Sequence, residues 1–287
     1  MTITQALANA SKLLSAKKIT STYLDAEVLL AFVLKTSREK VLAHPERKLS
    51  LAQIKKFQSL ISRRAKYEPV AYLIGYKLFY GLPIKVSPQV LIPRPETEQL
   101  VELVAEYATK RVIKGLKRPI LDIGTGSGCI CLALKKLLPQ AQIWGLELST
   151  GALKLARQNA KSLSLSIDLV KSDLLAGFKG NLRDAIIIAN LPYLDRQELR
   201  DFSVEVKRGL SYEPAEALFA GRHGLSAYYK LFRQINQRED KPEAIFIEIG
   251  SAFWRDFLKL TKDSFPQADI LLIKDLCGKQ RFIKIIL

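Results

Sequence analysis

The stretch that decides the fold is Leu121-Asp122-Ile123-Gly124-Thr125-Gly126-Ser127-Gly128, residues 121–128 of a 287-residue chain. A short apolar run precedes it, and an apolar helical pattern follows. Glycines are needed where a backbone must turn sharply and approach a ligand without interference from a Cβ atom. The spacing G-x-G-x-G differs from the G-x-G-x-x-G of dinucleotide-binding loops, and no Gly-Lys-Ser/Thr follows, which excludes a nucleotide P-loop. The loop predicts a site for a ligand with an adenosine moiety.

Acidic residues further along the chain strengthen this prediction. Glu147 lies nineteen residues past Gly128, at the end of the next apolar strand, where its carboxylate can accept hydrogen bonds from both ribose hydroxyls. After the third strand, Asp173 can meet an adenine amino group and Leu174 can pack on the ring. Either acid alone is typical of a solvated strand end. Together with the loop they predict S-adenosylmethionine, bound over the carboxyl ends of the first three strands.

From Ile120 onward, apolar strands alternate with helical stretches, which is typical of a parallel sheet covered by helices on both faces. The connection Lys274–Gln280 is too short to cross over between parallel strands, so the last two strands should pair antiparallel. An α/β fold with a mostly parallel seven-stranded sheet and an antiparallel final strand is typical of class I S-adenosylmethionine-dependent methyltransferases. The predicted strands are Ile120–Ile123, Gln142–Leu148, Ile167–Lys171, Ala185–Ala189, Ala244–Ile249, Ile270–Ile273 and Arg281–Ile286.

The fourth strand ends in Asn190-Leu191-Pro192-Tyr193, where we expect the reaction to take place. An amide or exocyclic amino nitrogen is a poor nucleophile because its lone pair is delocalised into a planar π system. The side-chain oxygen of Asn190 and the backbone carbonyl of Leu191 can accept both N–H groups, so that the lone pair points at the methyl group. The Tyr193 ring can stack against the flat substrate. A plain turn is the competing interpretation, because Asn and Pro are turn formers.

Residues 1–75 read as helices without a cluster able to do chemistry, which predicts a docking domain. Ser50 and Gln53 look like a capping box for one of these helices. We divide the chain into a helical domain at 1–75, a hairpin linker at 76–93 and a methyltransferase domain at 94–287, whose first helix starts at Pro95. We expect the basic run from Lys110 to Arg118 to be a loop. The apolar face of the capped helix should comprise Leu51, Ile54, Phe57, Leu60 and Ile61.

Composition limits the class of protein. The chain carries 45 Lys and Arg against 28 Asp and Glu, a net charge of +17, which favours transient proximity to the ribosome or RNA. No apolar run reaches the roughly 18–20 residues of a membrane span, and the first residues lack a secretory signal pattern. Three cysteines are too few and badly spaced for a disulfide framework or a zinc site. We expect a cytoplasmic protein without a metal.

The chain resembles the release factor N5-glutamine methyltransferases, the PrmC/HemK family, over nearly its whole length. The resemblance implies that the substrate is the glutamine of the Gly-Gly-Gln motif of class 1 peptide chain release factors, and that the small domain helps to hold that protein. The matching pieces are Ile92 to Glu98, the glycine loop, Glu147, Asn190 to Tyr193, Glu213-Pro214, Glu248-Ile249-Gly250, and Asp275 to Arg281.

The resemblance also implies roles for individual residues. The implied cofactor-binding residues are Asp122, Gly124, Thr125, Gly126, Ser127, Gly128, Glu147, Asp173, Leu174 and Asn190. The implied catalytic residues are Asn190, Leu191, Pro192 and Tyr193, and the implied substrate-binding residues are Arg94, Thr97, Glu98, Asn190 and Tyr193.

The chain departs from the family pattern at two positions, and three other functions stay open. Leu191 replaces the first Pro of the usual Asn-Pro-Pro-Tyr but keeps the carbonyl, and His223 stands where Asp is expected. The alternatives are an N6-adenine DNA or RNA methyltransferase, a ribosomal-protein glutamine methyltransferase and a non-catalytic S-adenosylmethionine-binding module. A nucleic-acid enzyme would present aromatic side chains for base stacking, whereas Tyr23, Phe32 and Phe57 fall on apolar helix faces typical of core residues.

Overall fold

The computed structural model of the chain describes residues 1–110, 119–221 and 224–287. Of the basic run expected to form a loop, Lys110 ends a helix and the remainder lies outside the described residues, as does His223. The chain divides into two compact units. The first is Met1–Tyr76 together with Asp201–Glu213, and the second is Lys77–Arg200 together with Pro214–Leu287.

The first unit is a helical bundle with its own apolar core. Ser50 and Gln53 form the predicted capping box, and Phe57 is buried as expected. Leu51 is 78% exposed because it occupies the first helical position, so it does not join the predicted apolar face. Tyr23 is 60% exposed, and its prediction as a core residue is wrong. The helices are α1 (Ile3–Ala16), α2 (Thr22–Leu34), α3 (Arg38–Ala43), α4 (Leu51–Arg64) and α5 (Val70–Ile74).

Strands and helices alternate through most of the remaining chain. The strands are β1 (Tyr76–Phe79), β2 (Leu82–Lys85), β3 (Pro119–Ile123), β4 (Gln142–Glu147), β5 (Asp168–Lys171), β6 (Ile186–Ala189), β7 (Ala244–Glu248), β8 (Asp269–Lys274) and β9 (Gln280–Ile286). The helices are α6 (Glu96–Lys110), α7 (Cys129–Leu137), α8 (Thr150–Ser162), α9 (Val204–Leu210), α10 (Ala215–Leu218), α11 (Ser226–Asn236) and α12 (Trp254–Ser264), with 3₁₀ turns at Glu198–Asp201 and Ser251–Phe253.

The sheet has seven strands in the order β5-β4-β3-β6-β7-β9-β8. Strands β3 to β7 pair in parallel, and β9 pairs antiparallel with both β7 and β8. All seven predicted strands are present to within one residue at each end, and the antiparallel pair is confirmed. Residues 186–189 are all buried, as expected for a central parallel strand covered on both faces.

The register of the sheet determines where the site lies. Ile123 at the end of β3 is paired with Leu146 of β4 on one side and with Ala189 of β6 on the other. The carboxyl ends of these parallel strands therefore meet at one edge of the sheet. The loops that follow them carry the residues predicted to bind the cofactor and the substrate.

The predicted hairpin is present as β1 and β2, while residues 86–93 continue without regular structure. Phe79, Leu82 and Ile84 of the hairpin are buried in an apolar core that they share with residues of α6 and α7. The predicted domain borders at 75 and 93 stay a prediction. Within the described residues, no helix has both the length and the apolarity needed to cross a bilayer.

The segment Asp201–Glu213 belongs to the helical unit although it lies between β6 and β7 in the chain. Arg64 of α4 is 7% exposed, and its guanidinium donates to Asp25 at 2.6 Å and to Glu205 of α9 at 2.5 Å. The other carboxylate oxygen of Glu205 accepts from the backbone N–H and the hydroxyl of Thr20. This buried ion network links a sequence-distant helix to the bundle.

Candidate active site

The glycine loop, residues 124–128, follows β3 and needs its glycines for two different reasons. Gly124, Gly126 and Gly128 all have positive φ angles, between 54° and 79°, which side chains rarely allow. A Cβ atom on Gly124 would also lie 2.8 Å from Cδ2 of Leu191. The loop is therefore shaped both by its own backbone and by the close approach of the loop that follows β6.

Asp122, just before this loop, is a buried carboxylate with one oxygen left over. Thr125 donates its hydroxyl to Oδ2 at 2.6 Å, and the Cys131 thiol reaches the same atom at 3.4 Å. Oδ1 is buried and has no hydrogen-bond partner in the described protein. Burial raises the pKa of Asp122 to about 6, which the Thr125 and Cys131 hydrogen bonds partly offset. Within the described protein, the acceptor capacity of this oxygen is therefore unused.

Glu147 is at the end of β4, as predicted, and its carboxylate faces the loop. Oε2 accepts the N–H of Gly126 at 3.0 Å, and Oε1 accepts the N–H of Ser149 at 2.8 Å. Each oxygen of a carboxylate has further acceptor capacity. The two backbone donors thus orient the carboxylate for a pair of hydroxyl groups.

Asp173 and Leu174 follow β5 in a tight turn. Leu174 has a φ of 54°, and the hydroxyl of Ser172 donates to its carbonyl at 2.6 Å. Asp173 Oδ2 pairs with the ammonium of Lys230, and Gln234 donates to the Asp173 carbonyl. These two contacts from α11 were not foreseen from the sequence, because polar residues on the exposed face of a helix give no specific signal.

A cavity of about 490 Å³ lies over this edge of the sheet and brings most of the predicted residues together. Its lining includes the expected cofactor residues Thr125, Glu147 and Asp173 and the expected substrate residues Arg94 and Asn190. The remaining predicted residues that line it are Thr97, Gly124, Gly126, Ser127, Leu174, Leu191 and Pro192. One continuous cavity therefore borders both the expected cofactor residues and the expected substrate residues.

Four predicted site residues do not line the cavity: Asp122 and Gly128 among the expected cofactor residues, and Glu98 and Tyr193 among the expected substrate residues. Glu98 follows Thr97 on α6 and is turned toward the hairpin, where its carboxylate accepts the N–H of Tyr80 at 2.8 Å. Consecutive helical residues point about 100° apart, and Glu98 is directed away from the cavity that Thr97 lines. The expected contact of Glu98 with substrate is thus not supported by its position. Tyr193 is also outside the cavity lining, and its hydroxyl donates to Glu248 at 3.2 Å.

Asn190 is held by a small polar cluster. Its side-chain nitrogen donates to the hydroxyl oxygen of Thr97 and to Oε2 of Glu248, each at 3.0 Å. Thr97 in turn donates to the same Glu248 oxygen at 2.8 Å. With the nitrogen committed to these two acceptors, the side-chain oxygen of Asn190 is the atom left for the cavity. Among the described residues, no donor reaches it.

Leu191 is held by its backbone and by its side chain. Its N–H donates to the hydroxyl of Tyr228 on α11 at 3.0 Å, and that hydroxyl donates to the carbonyl of Glu248 at 2.5 Å. The side chain is 4% exposed and packs against Gly124. No donor in the described part of the chain reaches the Leu191 carbonyl. The replacement of Pro by Leu therefore leaves a carbonyl acceptor and adds an N–H that Tyr228 accepts.

Sequence reasoning assigned no role to Glu248, Tyr228 or Asn159. Asn159 of α8 is fully buried, and its amide donates to the carbonyls of Ser127 and Lys85 while accepting the N–H of Lys85. It thereby joins the glycine loop to the hairpin. For Asn159, the signal in the sequence is a polar residue inside an apolar helical pattern; for Glu248, it is the match of Glu248-Ile249-Gly250 to the family pattern.

The described residues fit S-adenosylmethionine. Gly124, Gly126 and Ser127 of the glycine loop line the cavity, and Glu147 beside them offers two oriented carboxylate oxygens. A carboxylate in this position suits a cofactor that carries ribose hydroxyls. Over residues 1–110, 119–221 and 224–287, no group of three His, Cys, Asp or Glu side chains is placed to hold a metal ion.

Solved structures similar to this chain share the fold. The catalytic domain of hMettl16 in complex with MAT2A 3′UTR hairpin 6 matches with a TM-score of 0.59 at 15% identity, over 77% of this chain and 83% of that one. The N-terminal domain of human METTL16 in complex with SAH matches with a TM-score of 0.51 at 16% identity, over 76% and 81%. At these identities the likeness concerns the fold alone.

Sequence comparisons are more specific. Residues 5–75 match the PrmC N-terminal domain and residues 120–212 match a methyltransferase domain. A release factor glutamine methyltransferase of Koribacter versatilis (strain Ellin345) is 34% identical over 99% of this chain and 98% of its own length. One of Moorella thermoacetica (strain ATCC 39073 / JCM 9320) is 39% identical over 79% of this chain and 78% of its own. The chain therefore belongs to the family of release factor glutamine methyltransferases.

Proposed function

We propose that this chain transfers the methyl group of S-adenosylmethionine to the side-chain amide nitrogen (N5) of a glutamine in a release factor, the reaction for which its family is named. The observation that supports this most directly is the pair of acceptors at the end of β6. The side-chain oxygen of Asn190 and the carbonyl of Leu191 have no protein donor in the described chain, and both residues line the cavity beside the glycine loop.

Two acceptors are what a primary amide needs in order to react at nitrogen. Each accepts one N–H of the glutamine amide, which fixes the plane of the group and directs the nitrogen lone pair into the cavity. The acceptors also stabilise the positive charge that develops on nitrogen as the new bond forms. A general base close to the nitrogen is not required, because the proton leaves late and water can accept it.

The cofactor would be held by the glycine loop, Asp122, Glu147 and the turn that contains Asp173. When bound, S-adenosylmethionine supplies a methyl group on a positively charged sulfur; transfer breaks the S–C bond, leaves its electron pair on sulfur, forms the N–C bond and releases one proton. Leu148 and Leu174 add apolar surface to the cavity lining beside these polar groups.

The finer identity of the substrate is part of the same proposal. A glutamine at the tip of a Gly-Gly-Gln motif in a class 1 release factor suits the site, because flanking glycines let a backbone approach a cavity closely. The +17 net charge supports transient proximity to the ribosome or RNA, where release factors work. The cytoplasmic location expected from the sequence remains a prediction.

The test uses purified protein, methyl-labelled S-adenosylmethionine and a class 1 release factor, beside a copy of that factor whose Gly-Gly-Gln glutamine is alanine. Duplex DNA and ribosomal RNA are assayed in parallel, and Asn190→Ala is the matched inactive control. We expect label only on the unmodified release factor. Label only on nucleic acid would replace this function with amino-adenine methylation, and no label on any substrate would favour a binding module.

A further inference from the structure

Glu248 is a buried acid that the proposed mechanism does not use directly. It ends β7, is 1% exposed and is the common partner of three polar side chains. Oε2 accepts from Thr97 and Asn190, and Oε1 accepts from the hydroxyl of Tyr193. Burial of a carboxylate costs free energy unless its oxygens are hydrogen-bonded. Three hydrogen bonds offset this cost, and two of the partners, Thr97 and Asn190, line the cavity although Glu248 itself does not.

In this cluster, the charge of the Glu248 carboxylate determines which groups donate hydrogen bonds and which accept them. An ionised carboxylate accepts hydrogen bonds and cannot donate them. Thr97 spends its one hydrogen on Glu248, so its oxygen is an acceptor toward Asn190. Both neighbours of Asn190 are thus acceptors, and only the nitrogen of its amide can face them. The oxygen of the amide is forced toward the cavity.

We propose that Glu248 is a positioning residue that, when ionised, fixes the Asn190 amide with its oxygen toward the substrate, and that protonation of Glu248 removes this constraint and lowers turnover. A protonated Glu248 can donate to the Asn190 oxygen. The amide can then rotate and present its nitrogen to the cavity, where a donor meets the N–H groups of the substrate and cannot accept them. This inference rests on the proposed function.

The surroundings of Glu248 place this change near neutral pH. Burial raises its pKa to about 7, while the Thr97 hydrogen bond and the nearby Arg281 guanidinium lower it. Burial also raises the pKa values of Tyr193 and Tyr228 above the ordinary tyrosine value, so both stay neutral in this range. The groups that face Glu248 or its hydroxyl partners are Glu96 on α6, Arg94 before it, Tyr193 after β6, Tyr228 on α11, and Arg281 on β9 with its ion-pair partner Asp275.

The experiment compares wild type, Glu248→Gln and the matched control Glu102→Gln, an exposed glutamate on α6, in release factor methylation across about pH 5.5 to 9. For wild type we expect kcat to rise with pH around a midpoint of about 7 and then level off. The neutral amide that Glu248→Gln introduces can donate or accept at any pH. We therefore expect this variant to lower kcat by about 10- to 100-fold, as for other groups that orient a contacting side chain, and to flatten this pH dependence.

Two readouts separate positioning from a structural defect. Cofactor affinity of Glu248→Gln, measured by calorimetry, should equal that of wild type, because the glycine loop and Glu147 are untouched. The control Glu102→Gln should keep both the wild-type kcat and the wild-type pH profile. A Glu248→Gln variant with the wild-type kcat and pH profile, or with equal losses of turnover and cofactor affinity, would overturn the proposal.

A measurement that needs no turnover keeps this inference distinct from the proposed function. The ¹⁵N side-chain amide signal of Asn190, assigned by its loss in Asn190→Ala, is followed by NMR through the same pH range. We expect it to shift with a midpoint of about 7 in wild type and to stay constant in Glu248→Gln. A constant signal in wild type contradicts the coupling. Wild type that shows the shift but labels no release factor would refute the function and retain the coupling.

Discussion

Replacing Tyr228 by Phe tests how the chain accommodates Leu191. The substitution keeps the ring, which packs at 5.3 Å centroid distance against Phe257, and removes only the hydroxyl. Three buried backbone groups then lose a partner: the N–H of Leu191, the carbonyl of Glu248 and, at the longer distance of 3.4 Å, the carbonyl of Ala189. Leaving one such group unsatisfied costs about 1–3 kcal/mol. We expect the free energy of unfolding to fall by about 2–4 kcal/mol, because the N–H loses its acceptor and the two carbonyls share the single hydroxyl hydrogen.

The contribution of the Leu191 N–H can be isolated with Leu191→Pro, because proline has no N–H to satisfy. In that background, Tyr228→Phe should cost about 1–3 kcal/mol less than in the wild type, and this difference is the coupling between the two positions. The loss of the Leu191 side chain from its packing against Gly124 is present in both arms and cancels. Tyr107→Phe, which removes a hydroxyl bonded to Glu243, should combine additively with Leu191→Pro.

The assay is urea denaturation followed by far-ultraviolet circular dichroism. It is applied in each cycle to the wild type, the two single variants and the double variant. The dependence of the unfolding free energy on urea concentration is compared among them to check two-state behaviour. Coupling below about 0.5 kcal/mol is ordinary additivity between independent sites. That result would refute the role of Tyr228 as the acceptor for Leu191. Coupling below that value is expected for the Tyr107 pair, which provides the baseline for two independent positions.

Three further substitutions have distinct signatures. Asn190→Ala should lower kcat about 10²–10³-fold with nearly unchanged cofactor affinity by calorimetry, and equal losses of both would contradict its role as an acceptor for substrate. Glu147→Ala should weaken cofactor binding about 10- to 100-fold, because charge-assisted hydrogen bonds are lost, and an unchanged Kd would exclude the ribose contact. Burial raises the pKa of Glu248 to about 7, so its protonated form favours the fold and that stability is lost as pH rises through about 7. Glu248→Gln should therefore be more stable than wild type by up to about 3 kcal/mol at about pH 8, with little difference at about pH 5; denaturation at both values decides this, and equal effects at the two would contradict it.

The features that could be predicted from the sequence are those determined by residues close together in the chain. The glycine spacing of residues 124–128 is a backbone requirement, and the run Ile186-Ile187-Ile188 is apolar because the strand is buried on both faces. Asn190 could be recognised as a candidate site residue because it directly follows such a strand. Glu248 ends another strand, and its contacts with Thr97 and Asn190 span 151 and 58 residues. The family pattern includes Glu248-Ile249-Gly250, but nothing local in the sequence shows which side chains its carboxylate contacts.

The solvent exposure of individual side chains also could not be predicted from the local sequence pattern. Leu51 and Tyr23 lie at apolar positions of helical patterns, yet they occupy first turns and are exposed. Glu98 is adjacent to Thr97 in the sequence but faces the hairpin, because helical geometry separates neighbouring side chains. The membership of Asp201–Glu213 in the helical unit depends on contacts with residues more than a hundred positions earlier. Periodicity carries no information about such distant partners.

The discontinuity of the helical unit affects how the chain can be made. The ribosome synthesises residues 1–76 long before Glu205. About 130 more residues must be added before Arg64 can bind its second carboxylate, that of Glu205. Breaking a buried ion pair of this kind costs about 3–5 kcal/mol. An N-terminal fragment ending at residue 76 should thus be a poor surrogate for the native bundle. The helical unit is therefore complete only after the first four strands of the sheet and helix α9 have been synthesised.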